Sequence, residues 1–264
     1  MTSVWQPTAP CSIGACVRGG STVLASPRAV LRIAAVVALL LVGVVFLPVG
    51  RRLPAAWVRL YCRVMVRATG VRLRLSGSAP QSGGVLLVAN HISWMDIPLL
   101  AAVRPARMLA KKEIRQWPVA GALVAGSGAI FIDRDRLRAL PGTVTQLAAV
   151  LRAGGAVGVF PEGSTWCGRA QGTFRRAAFQ AALDARAPVQ PVRLRYLLPD
   201  GTVSTAPAFV GDDTLAAGVW RVVSTRRIVA EVEVGALIPA DSCPDRRSLA
   251  RAAQLAGERA AGHP

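Results

Sequence analysis

The pattern of apolar and polar positions changes twice along the chain. Residues 33–50 form an apolar run of eighteen residues without a charge, and arginines flank it on both sides. Because about 20 apolar residues are needed to cross a bilayer, this run either crosses the membrane or dips into one leaflet. It starts late and lacks a small-residue cleavage site, which argues against a signal peptide. Residues 1–29, rich in Ser, Thr, Pro and Gly, are predicted to form a flexible tail.

An amphipathic helix is predicted directly after the apolar run, within residues 54–70. Arg59, Arg63 and Arg67 follow one another at four-residue spacing and form a cationic stripe. Such a helix suits the headgroup layer of a membrane, and an ordinary solvated helix face is the alternative. Residues 30–70 are therefore predicted to anchor the chain. Five arginines follow the apolar run closely and three precede it, so the rest of the chain is predicted to be cytoplasmic, at the inner face of the cell membrane.

From about residue 71, short apolar runs alternate with helical patterns. This alternation predicts an α/β fold with a mixed, mostly parallel central sheet covered by helices. The predicted domain covers residues 71–240, and residues 241–264 are predicted to form a C-terminal helix or tail. The predicted strands are 71–75, 85–89, 129–132, 156–160, 189–194 and 228–234, and the predicted helices are 97–102, 141–152, 174–185 and 245–261.

The charge of the chain favours a membrane surface as its partner. The 32 basic residues outnumber the 14 acidic ones, the net charge is +18, and the mean hydropathy is +0.41. An anionic bilayer attracts arginine and lysine that lie beside an apolar segment. No nucleic acid is expected as a partner, because no basic cluster is interleaved with stacking aromatic residues, which make up only 5% of the chain.

The five cysteines show no metal-binding or disulfide pattern in the sequence. They stand at positions 11, 16, 62, 167 and 243, with neither a CxxC pair nor a histidine at metal-ligand spacing. No metal site is predicted, and this cysteine usage agrees with a cytosolic domain. Cys167 is interpreted as a small residue that fills space.

His91 is the best candidate for chemistry. It follows the predicted strand 85–89, and Asp96 stands five positions later, just before Pro98 in the first turn of a predicted helix. Side chains five positions apart on one helix point about 140° apart, but a strand-to-helix turn allows the two to meet. Imidazole accepts a proton near neutral pH and a carboxylate fixes its tautomer, so the pair is suited to activate a hydroxyl. A structural histidine at a strand end is the alternative.

Three further strand boundaries carry candidate groups, at spacings of roughly thirty residues. Arg134 follows the run 128–132, and a guanidinium grips phosphate or carboxylate with two hydrogen bonds. Residues 187–192 open a later strand with two prolines. Open α/β sheets bind ligands at the carboxyl ends of their strands, where His91 is also expected. The run 156–160 is followed by a carboxylate, a glycine and two hydroxyls, namely Glu162, Gly163, Ser164 and Thr165.

Four segments in order carry a family signature. They are Asn90-His91-Ile92-Ser93-Trp94-Met95-Asp96, Ile130-Phe131-Ile132-Asp133-Arg134, Phe160-Pro161-Glu162-Gly163 and Val189-Gln190-Pro191-Val192. This series resembles the four blocks of the glycerolipid acyltransferases of the 1-acylglycerol-3-phosphate acyltransferase type, over roughly residues 71–240. The resemblance implies transfer of a fatty acyl group from a carrier thioester to a lipid hydroxyl, with no cofactor other than the acyl donor itself.

The resemblance also implies roles for the residues of these blocks. His91 is the base that deprotonates the acceptor hydroxyl, and Asp96 is its orienting partner. Arg134 holds the anionic head of the acceptor. Backbone amides near Gly163 are a hypothetical oxyanion hole. The acceptor site is shaped and bound by Glu162, Gly163, Ser164 and Thr165.

One position departs from the family pattern. In phosphate-selective members the third block continues with Thr-Arg, whereas here Trp166 follows Ser164-Thr165. The chain is also similar to lyso-ornithine lipid acyltransferases, and residues 211–215 and 220–221 add to that likeness. The candidates to replace the missing cation are Arg169, Arg175 and Arg176.

We therefore expect a membrane-bound acyltransferase that uses an acyl-CoA or acyl-carrier-protein thioester and a lysophospholipid acceptor. The resemblance favours 1-acylglycerol-3-phosphate, which gives phosphatidic acid, and lyso-ornithine lipid is the alternative acceptor. Thioester hydrolysis, a silent membrane-binding module and a nucleic-acid-binding protein are the rival interpretations. Lys111 and Lys112, the only lysines, are either a solvated pair or a contact to the phosphates of an acyl carrier.

Overall fold

A seven-stranded sheet forms the centre of the computed structural model, which describes residues 7–17, 27–117 and 119–259. Within these residues the strand order is β1-β7-β6-β2-β5-β3-β4, and β6 and β7 are the one antiparallel pair. The sheet is therefore mixed and mostly parallel, which confirms the predicted fold class. The strands are β1 (Arg72–Ser76), β2 (Val85–Ala89), β3 (Arg107–Lys111), β4 (Ile130–Ile132), β5 (Ala156–Val159), β6 (Val189–Leu197) and β7 (Val229–Val234).

Helices cover both faces of the sheet. Every residue of β2 is buried, because alternate side chains enter opposite core layers. Leu87 joins the layer beneath α3, α4 and α8, whereas Leu86 joins the layer beneath α6, α7 and α9. Burying one such leucine contributes about 1.5–3 kcal/mol. The helices are α1 (Ile13–Cys16), α2 (Pro27–Val45), α3 (Ala55–Ala68), α4 (Asp96–Val103), α5 (Ala120–Gly126), α6 (Leu140–Arg152), α7 (Ala177–Ala185), α8 (Leu215–Ser224) and α9 (Arg246–Arg259).

The six strands predicted from the apolar runs are all present, with shifts of a few residues at their ends. The sequence missed β3, α5 and α8. In β3 only Met108 is buried and both end residues are charged, so no apolar run marks the strand. Lys111 ends β3 and Lys112 begins a short 3-10 helix, so the two lysines stand at the end of a strand that the sequence did not predict.

Both terminal segments are more closely attached to the domain than the sequence indicated. Residues 7–17, within the predicted flexible tail, contain α1, and Cys11, Cys16 and Val17 pack against the core layer beneath α4. Residues 1–6, 18–26 and 260–264 lie outside the described residues, and His263 is among them. Helix α9 contributes Leu249 and Ala253 to the other core layer, so the packed unit extends well beyond residue 240.

The predicted apolar run corresponds to α2, displaced toward the N-terminus. The helix has 19 residues and a mean hydropathy of 2.4, so by length and composition it is able to cross a membrane, a test that signal sequences and core helices also pass. Only 11% of its most apolar stretch is buried within the chain, unlike a core helix of a soluble protein. Residues 46–49 continue as turns, and a short 3-10 helix (Gly50–Arg52) follows them.

Helix α3 exposes both apolar and cationic side chains. Trp57, Leu60 and Val64 are exposed and lie on one face, at helical spacing. The arginine stripe is less free than predicted, because Arg59 donates to Gln81 and Arg63 donates to the carbonyl of Ala102 at 3.4 Å. The apolar face of α3, rather than its whole arginine stripe, is therefore the part left without packing.

Candidate active site

The turn between β2 and α4 brings His91 to Asp96. Asp96 is the first residue of α4, and its Oδ2 accepts hydrogen bonds from the backbone N–H groups of Ile92 (2.6 Å) and Ser93 (2.8 Å). These two bonds fold the turn back on itself. The same oxygen lies 2.8 Å from Nδ1 of His91. With Nδ1 protonated toward the carboxylate, Nε2 keeps its lone pair for an incoming proton.

Asp96 is held by a fourth group that the sequence did not reveal. The hydroxyl of Tyr196, in β6, donates to Oδ1 of Asp96 at 2.6 Å. Both side chains are fully buried, and burial together with the charge of Asp96 raises the pKa of Tyr196 well above its ordinary value. A tyrosine in an alternating strand pattern is normally read as core, so only the fold shows this contact.

The imidazole of His91 lies at the edge of the protein interior. Its side chain is 21% exposed, and its ring stacks on Phe160 with centroids 4.0 Å apart and planes 8° apart. Asn90 fixes the start of the turn, since its side chain exchanges two hydrogen bonds with the backbone of Leu194 (3.0 and 2.8 Å). Packing on one side and backbone pairing on the other therefore set the ring direction.

Glu162 supports the backbone of His91. Its Oε2 accepts from the N–H of His91 at 2.6 Å, and its Oε1 accepts from the N–H of Gly172 at 2.8 Å. Burial raises the pKa of Glu162 to about 8, although the two backbone hydrogen bonds oppose that shift. Because both oxygens are occupied and the side chain is 3% exposed, Glu162 positions the turn instead of contacting an acceptor as the resemblance implied.

Gly163 is a backbone connection between the blocks. It has a φ of +76°, which glycine adopts without strain, and its carbonyl accepts from the guanidinium of Arg134. Its N–H donates to the carbonyl of Phe160 at 3.1 Å. That amide is already used within the turn, so the hypothetical oxyanion hole at Gly163 is not supported by the geometry.

Three cationic side chains gather beside this loop. Burial, followed by the positive charge of Arg175, lowers the pKa of Arg134, and Glu113 partly offsets the effect. Desolvation, followed by the charge of Arg134, lowers the pKa of Lys111. The backbone of Arg175 is fixed by its N–H, which donates to the carbonyl of Pro161 at 2.9 Å. Lys111 is thus repelled by Arg134, and Arg134 by Arg175, while Glu113 partly offsets the repulsion at Arg134 and at Lys111. A bound anion would relieve that repulsion further.

The two hydroxyls of the third block take different places. Thr165 donates its hydroxyl to the carbonyl of Phe209, so that donor is used within the protein. Ser164 is half-buried between Gly163 and Thr165. In the first block, Ser93 accepts from the N–H of Met95 at 3.3 Å, which is a turn-stabilising role.

Comparisons with known proteins identify the family of the chain. The Acyltransferase family model matches residues 70–195, which include His91, Asp96, Arg134 and Glu162. A lyso-ornithine lipid O-acyltransferase of Pseudomonas aeruginosa is 37% identical over 213 residues, which cover 79% of this chain and 78% of the relative. The chain belongs to the acyltransferase family. The predicted family and enzyme class are thereby confirmed.

Two further proteins are similar to this acyltransferase. A 1-acyl-sn-glycerol-3-phosphate acyltransferase of Neisseria meningitidis serogroup B is 35% identical over 188 residues, which cover 71% of this chain and 73% of the relative. The crystal structure of the 1-acyl-sn-glycerophosphate acyltransferase PlsC from Thermotoga maritima matches with a TM-score of 0.62. It is 17% identical, covering 88% of this chain and 96% of that chain, so it shows the fold alone.

Proposed function

We propose that this acyltransferase transfers a fatty acyl group from an acyl-CoA or acyl-carrier-protein thioester to the free hydroxyl of 1-acylglycerol-3-phosphate, giving phosphatidic acid. The observation that carries the proposal is the His91–Asp96 pair, with Nδ1 and Oδ2 2.8 Å apart, beside the cations Lys111, Arg134 and Arg175. A base next to an anion-binding surface matches an acceptor that has a hydroxyl and a phosphate.

The reaction follows from the direction of the imidazole. Nε2 of His91 takes the acceptor proton as the hydroxyl oxygen attacks the thioester carbonyl, and Asp96 stabilises the imidazolium that forms. The tetrahedral intermediate collapses, the carbon–sulfur bond breaks, and the imidazolium returns its proton to the leaving thiolate. The new ester bond is made directly, without an acyl-enzyme. Holding donor and acceptor together in one site supplies much of the rate.

The phosphate of the acceptor is expected to bind Arg134 first. The guanidinium of Arg134 follows the end of β4 and also donates to the carbonyl of Gly163. Phosphate binding is therefore coupled to the loop that supports His91. Arg175, which is fixed next to this loop through Pro161, fits the role of the cation missing after Thr165. A dianionic phosphate among three cations is a favourable charge arrangement.

The membrane is the proposed location of this reaction. Leu31, Leu41 and Val45 on α2 and Trp57 on α3 are exposed large apolar side chains, and single-domain soluble surfaces rarely expose such groups together. A lysolipid acceptor resides in the same layer. The excess of arginine after the apolar segment supports a catalytic domain at the inner, cytoplasmic face of the cell membrane.

Lyso-ornithine lipid is the second candidate acceptor. The Pseudomonas aeruginosa relative with that printed activity is 37% identical, and the third block here lacks the arginine after Thr165 that phosphate-selective members carry. An ornithine headgroup keeps a carboxylate that Arg134 could grip with two hydrogen bonds. It lacks the second negative charge of a phosphate, so Arg175 and Lys111 attract it less strongly.

A lysolipid panel with one labelled acyl donor tests the proposal. Full-length protein in detergent micelles is given labelled acyl-CoA or acyl-carrier protein together with lysophosphatidic acid, a neutral lysophospholipid or lyso-ornithine lipid. We expect labelled phosphatidic acid as the main product. His91→Ala is expected to lower its formation at least about 100-fold, as loss of a general base does. Labelled free fatty acid as the sole product would identify a hydrolase.

Arg134→Gln tests whether Arg134 binds the anionic group of the acceptor. It is expected to raise the KM for lysophosphatidic acid about 10- to 150-fold, since a charge-assisted hydrogen bond contributes roughly 1.5–3 kcal/mol. The exposed Arg138→Gln is the matched control and is expected to leave KM unchanged. A faster reaction with lyso-ornithine lipid than with lysophosphatidic acid in the unaltered protein would favour the second candidate.

A further inference from the structure

Three cysteines that are far apart in the sequence come together beside the active-site loop. The sulfur atoms of Cys11, Cys16 and Cys167 all lie within 4.8 Å of one another. Cys11 lies two residues before α1 and Cys16 is its last residue, whereas Cys167 follows Glu162 and Thr165 on the loop that supports His91. The sequence alone showed no such site, because about 150 residues separate Cys16 from Cys167 and neither is part of a CxxC pair.

The surroundings of these thiols favour a shared ligand. Cys167 is buried, at 5% exposed, and Cys11 and Cys16 are half-buried against the core layer beneath α4. Thiolates bound to one zinc ion lie roughly 3.8 Å apart, given Zn–S bonds of about 2.3 Å and tetrahedral angles. The observed sulfur–sulfur distances are at most 4.8 Å. Side-chain rotations that move each sulfur by less than about an ångström would therefore shorten them to the zinc-bound distance.

We propose that Cys11, Cys16 and Cys167 form a three-thiolate site for a thiophilic divalent cation of the zinc type. Thiolate sulfur selects soft or borderline cations such as Zn²⁺ over Mg²⁺ and Ca²⁺. The three thiols release their protons as the metal binds, and the fourth position is taken by a water molecule or another exchangeable ligand. This metal site is separate from the proposed acyl-transfer reaction, which uses none of the three sulfur atoms.

The metal would fasten the N-terminal segment (residues 7–17) to the loops that carry Gly163 and Gly211. Pro7 lies so close to Gly163 that a Cβ on Gly163 would come within 2.6 Å of Pro7 Cγ. On the same segment, the carbonyl oxygen of Cys11 would be 3.6 Å from a Cβ on Gly211. Residues 7–17 therefore contact two loops of the domain, and a metal bound to Cys11, Cys16 and Cys167 would fix that arrangement.

Zinc binding by the full-length protein tests the site. Reduced, metal-free protein in detergent is titrated with Zn²⁺ alone against a chromophoric chelator, and Co²⁺ is added separately to look for thiolate-to-metal absorption bands. We expect one Zn²⁺ per chain and thiolate bands with Co²⁺. Cys11→Ser and Cys167→Ser are each expected to weaken binding at least about 100-fold, because each removes one of three protein ligands.

Two controls keep the test independent of folding and of acyl transfer. Cys243→Ser replaces a half-buried cysteine outside the cluster and is expected to bind Zn²⁺ like the unaltered protein. Limited proteolysis gives a second readout: Zn²⁺ should protect residues 7–17 in the unaltered protein and not in Cys11→Ser, which changes only the N-terminal segment. Any of three outcomes would overturn the proposal. They are equal Zn²⁺ binding by Cys11→Ser and Cys243→Ser, fewer than one bound ion per chain, and a disulfide between two of the three cysteines in the purified protein. None of these readouts depends on the acyl acceptor.

Discussion

At the scale of single residues, the carboxylate of Asp96 is the most completely bonded group of the site. It accepts from the N–H groups of Ile92 and Ser93, from His91 and from the hydroxyl of Tyr196. A buried carboxylate needs such partners, because an unpaired charge in the interior costs several kcal/mol. The direction of His91 therefore depends on groups from the turn after β2 and from β6.

Tyr196→Phe is expected to slow catalysis with a modest loss of stability. It removes the hydrogen bond to Oδ1 of Asp96, so the carboxylate is less firmly held and the imidazole is less well oriented. We expect kcat to fall about tenfold and the free energy of unfolding to fall by roughly 1–2 kcal/mol, measured by acyl transfer and denaturant titration. Tyr61→Phe is the matched control, because Tyr61 donates to the carbonyl of Leu39 at 2.7 Å, away from the site. An equal fall in kcat for both variants would contradict the positioning role.

The raised pKa of Glu162 predicts a pH dependence of stability. Its ordinary value is 4.5 and its value in the folded chain is about 8, so between these pH values the folded chain holds a proton that the unfolded chain has released. The contribution of Glu162 to the free energy of unfolding is therefore largest below about pH 4.5. It falls by a few kcal/mol as the pH rises to about 8. Glu162→Gln, which cannot ionise, is expected to remove this slope.

Denaturant titrations across that pH window measure the effect. The exposed Glu113→Gln serves as the matched control and should keep the slope of the unaltered protein. A slope that persists unchanged in Glu162→Gln would show that Glu162 is ionised in the folded chain. The two backbone N–H groups of His91 and Gly172 would then stabilise the carboxylate more strongly than its burial disfavours it.

At the scale of elements, the segment between β6 and α8 is fixed by Arg221 and contacts the turn that carries His91. Arg221, in α8, donates to Oδ1 of Asp213 at 3.0 Å and to the carbonyl of Ala208 at 2.8 Å. This fixes Phe209, whose N–H donates to the carbonyl of Ile92 at 2.9 Å. Residues 211–215 and 220–221, noted in the sequence for a likeness to lyso-ornithine lipid acyltransferases, thus support the turn that carries His91.

Arg221→Ala is expected to destabilise the protein strongly. Asp213 has a side chain only 1% exposed, so removing its partner leaves a buried charge and costs about 3–5 kcal/mol. The matched control is Arg74→Ala, which breaks a 3.4 Å ion pair in which Arg74 is 70% exposed, and it is expected to cost less than about 1 kcal/mol. Denaturant midpoints of the two variants provide the comparison. Similar losses would show that the Arg221 pair is as solvated as the Arg74 pair.

The same scale shows which elements the sequence could reveal. Strand β2 is an unbroken apolar run because both of its faces are buried, and its predicted and observed limits agree. Strand β3 has one buried residue, Met108, and owes its place to backbone pairing with β5 and β4. Backbone pairing is independent of side-chain type, so such a strand leaves no clear hydrophobic pattern.

At the scale of the whole molecule, the unpacked apolar surface of α2 and α3 is the main asymmetry. Leu41 and Val45 stand one helical turn apart and are 59% and 73% exposed. If this surface enters a bilayer, then placing charges on it should weaken membrane attachment. The double variant Leu41→Asp with Val45→Asp is expected to shift the protein from the floating fraction toward the soluble one when mixed with anionic vesicles and centrifuged.

A charge placed elsewhere is the control for that shift. Leu255 is also an exposed apolar residue, on α9, which packs on the opposite side of the sheet from α3. Leu255→Asp is expected to float with the vesicles like the unaltered protein. Flotation of the Leu41 and Val45 variant at the unaltered level would remove α2 as the membrane contact.

The sequence by itself determined the fold class, the family and the turn that brings His91 to Asp96. These depend on local patterns: fully apolar strands, and a histidine and an aspartate that one short turn brings together. Only the tertiary structure decided that Tyr196 holds Asp96, that Glu162 faces backbone amides instead of an acceptor, and that Cys167 meets Cys11 and Cys16. Apart from the bond between Glu162 and Gly172, each of these contacts joins residues far apart in the chain. Their proximity depends on strand order and helix packing, which the spacing of residues along a sequence does not encode.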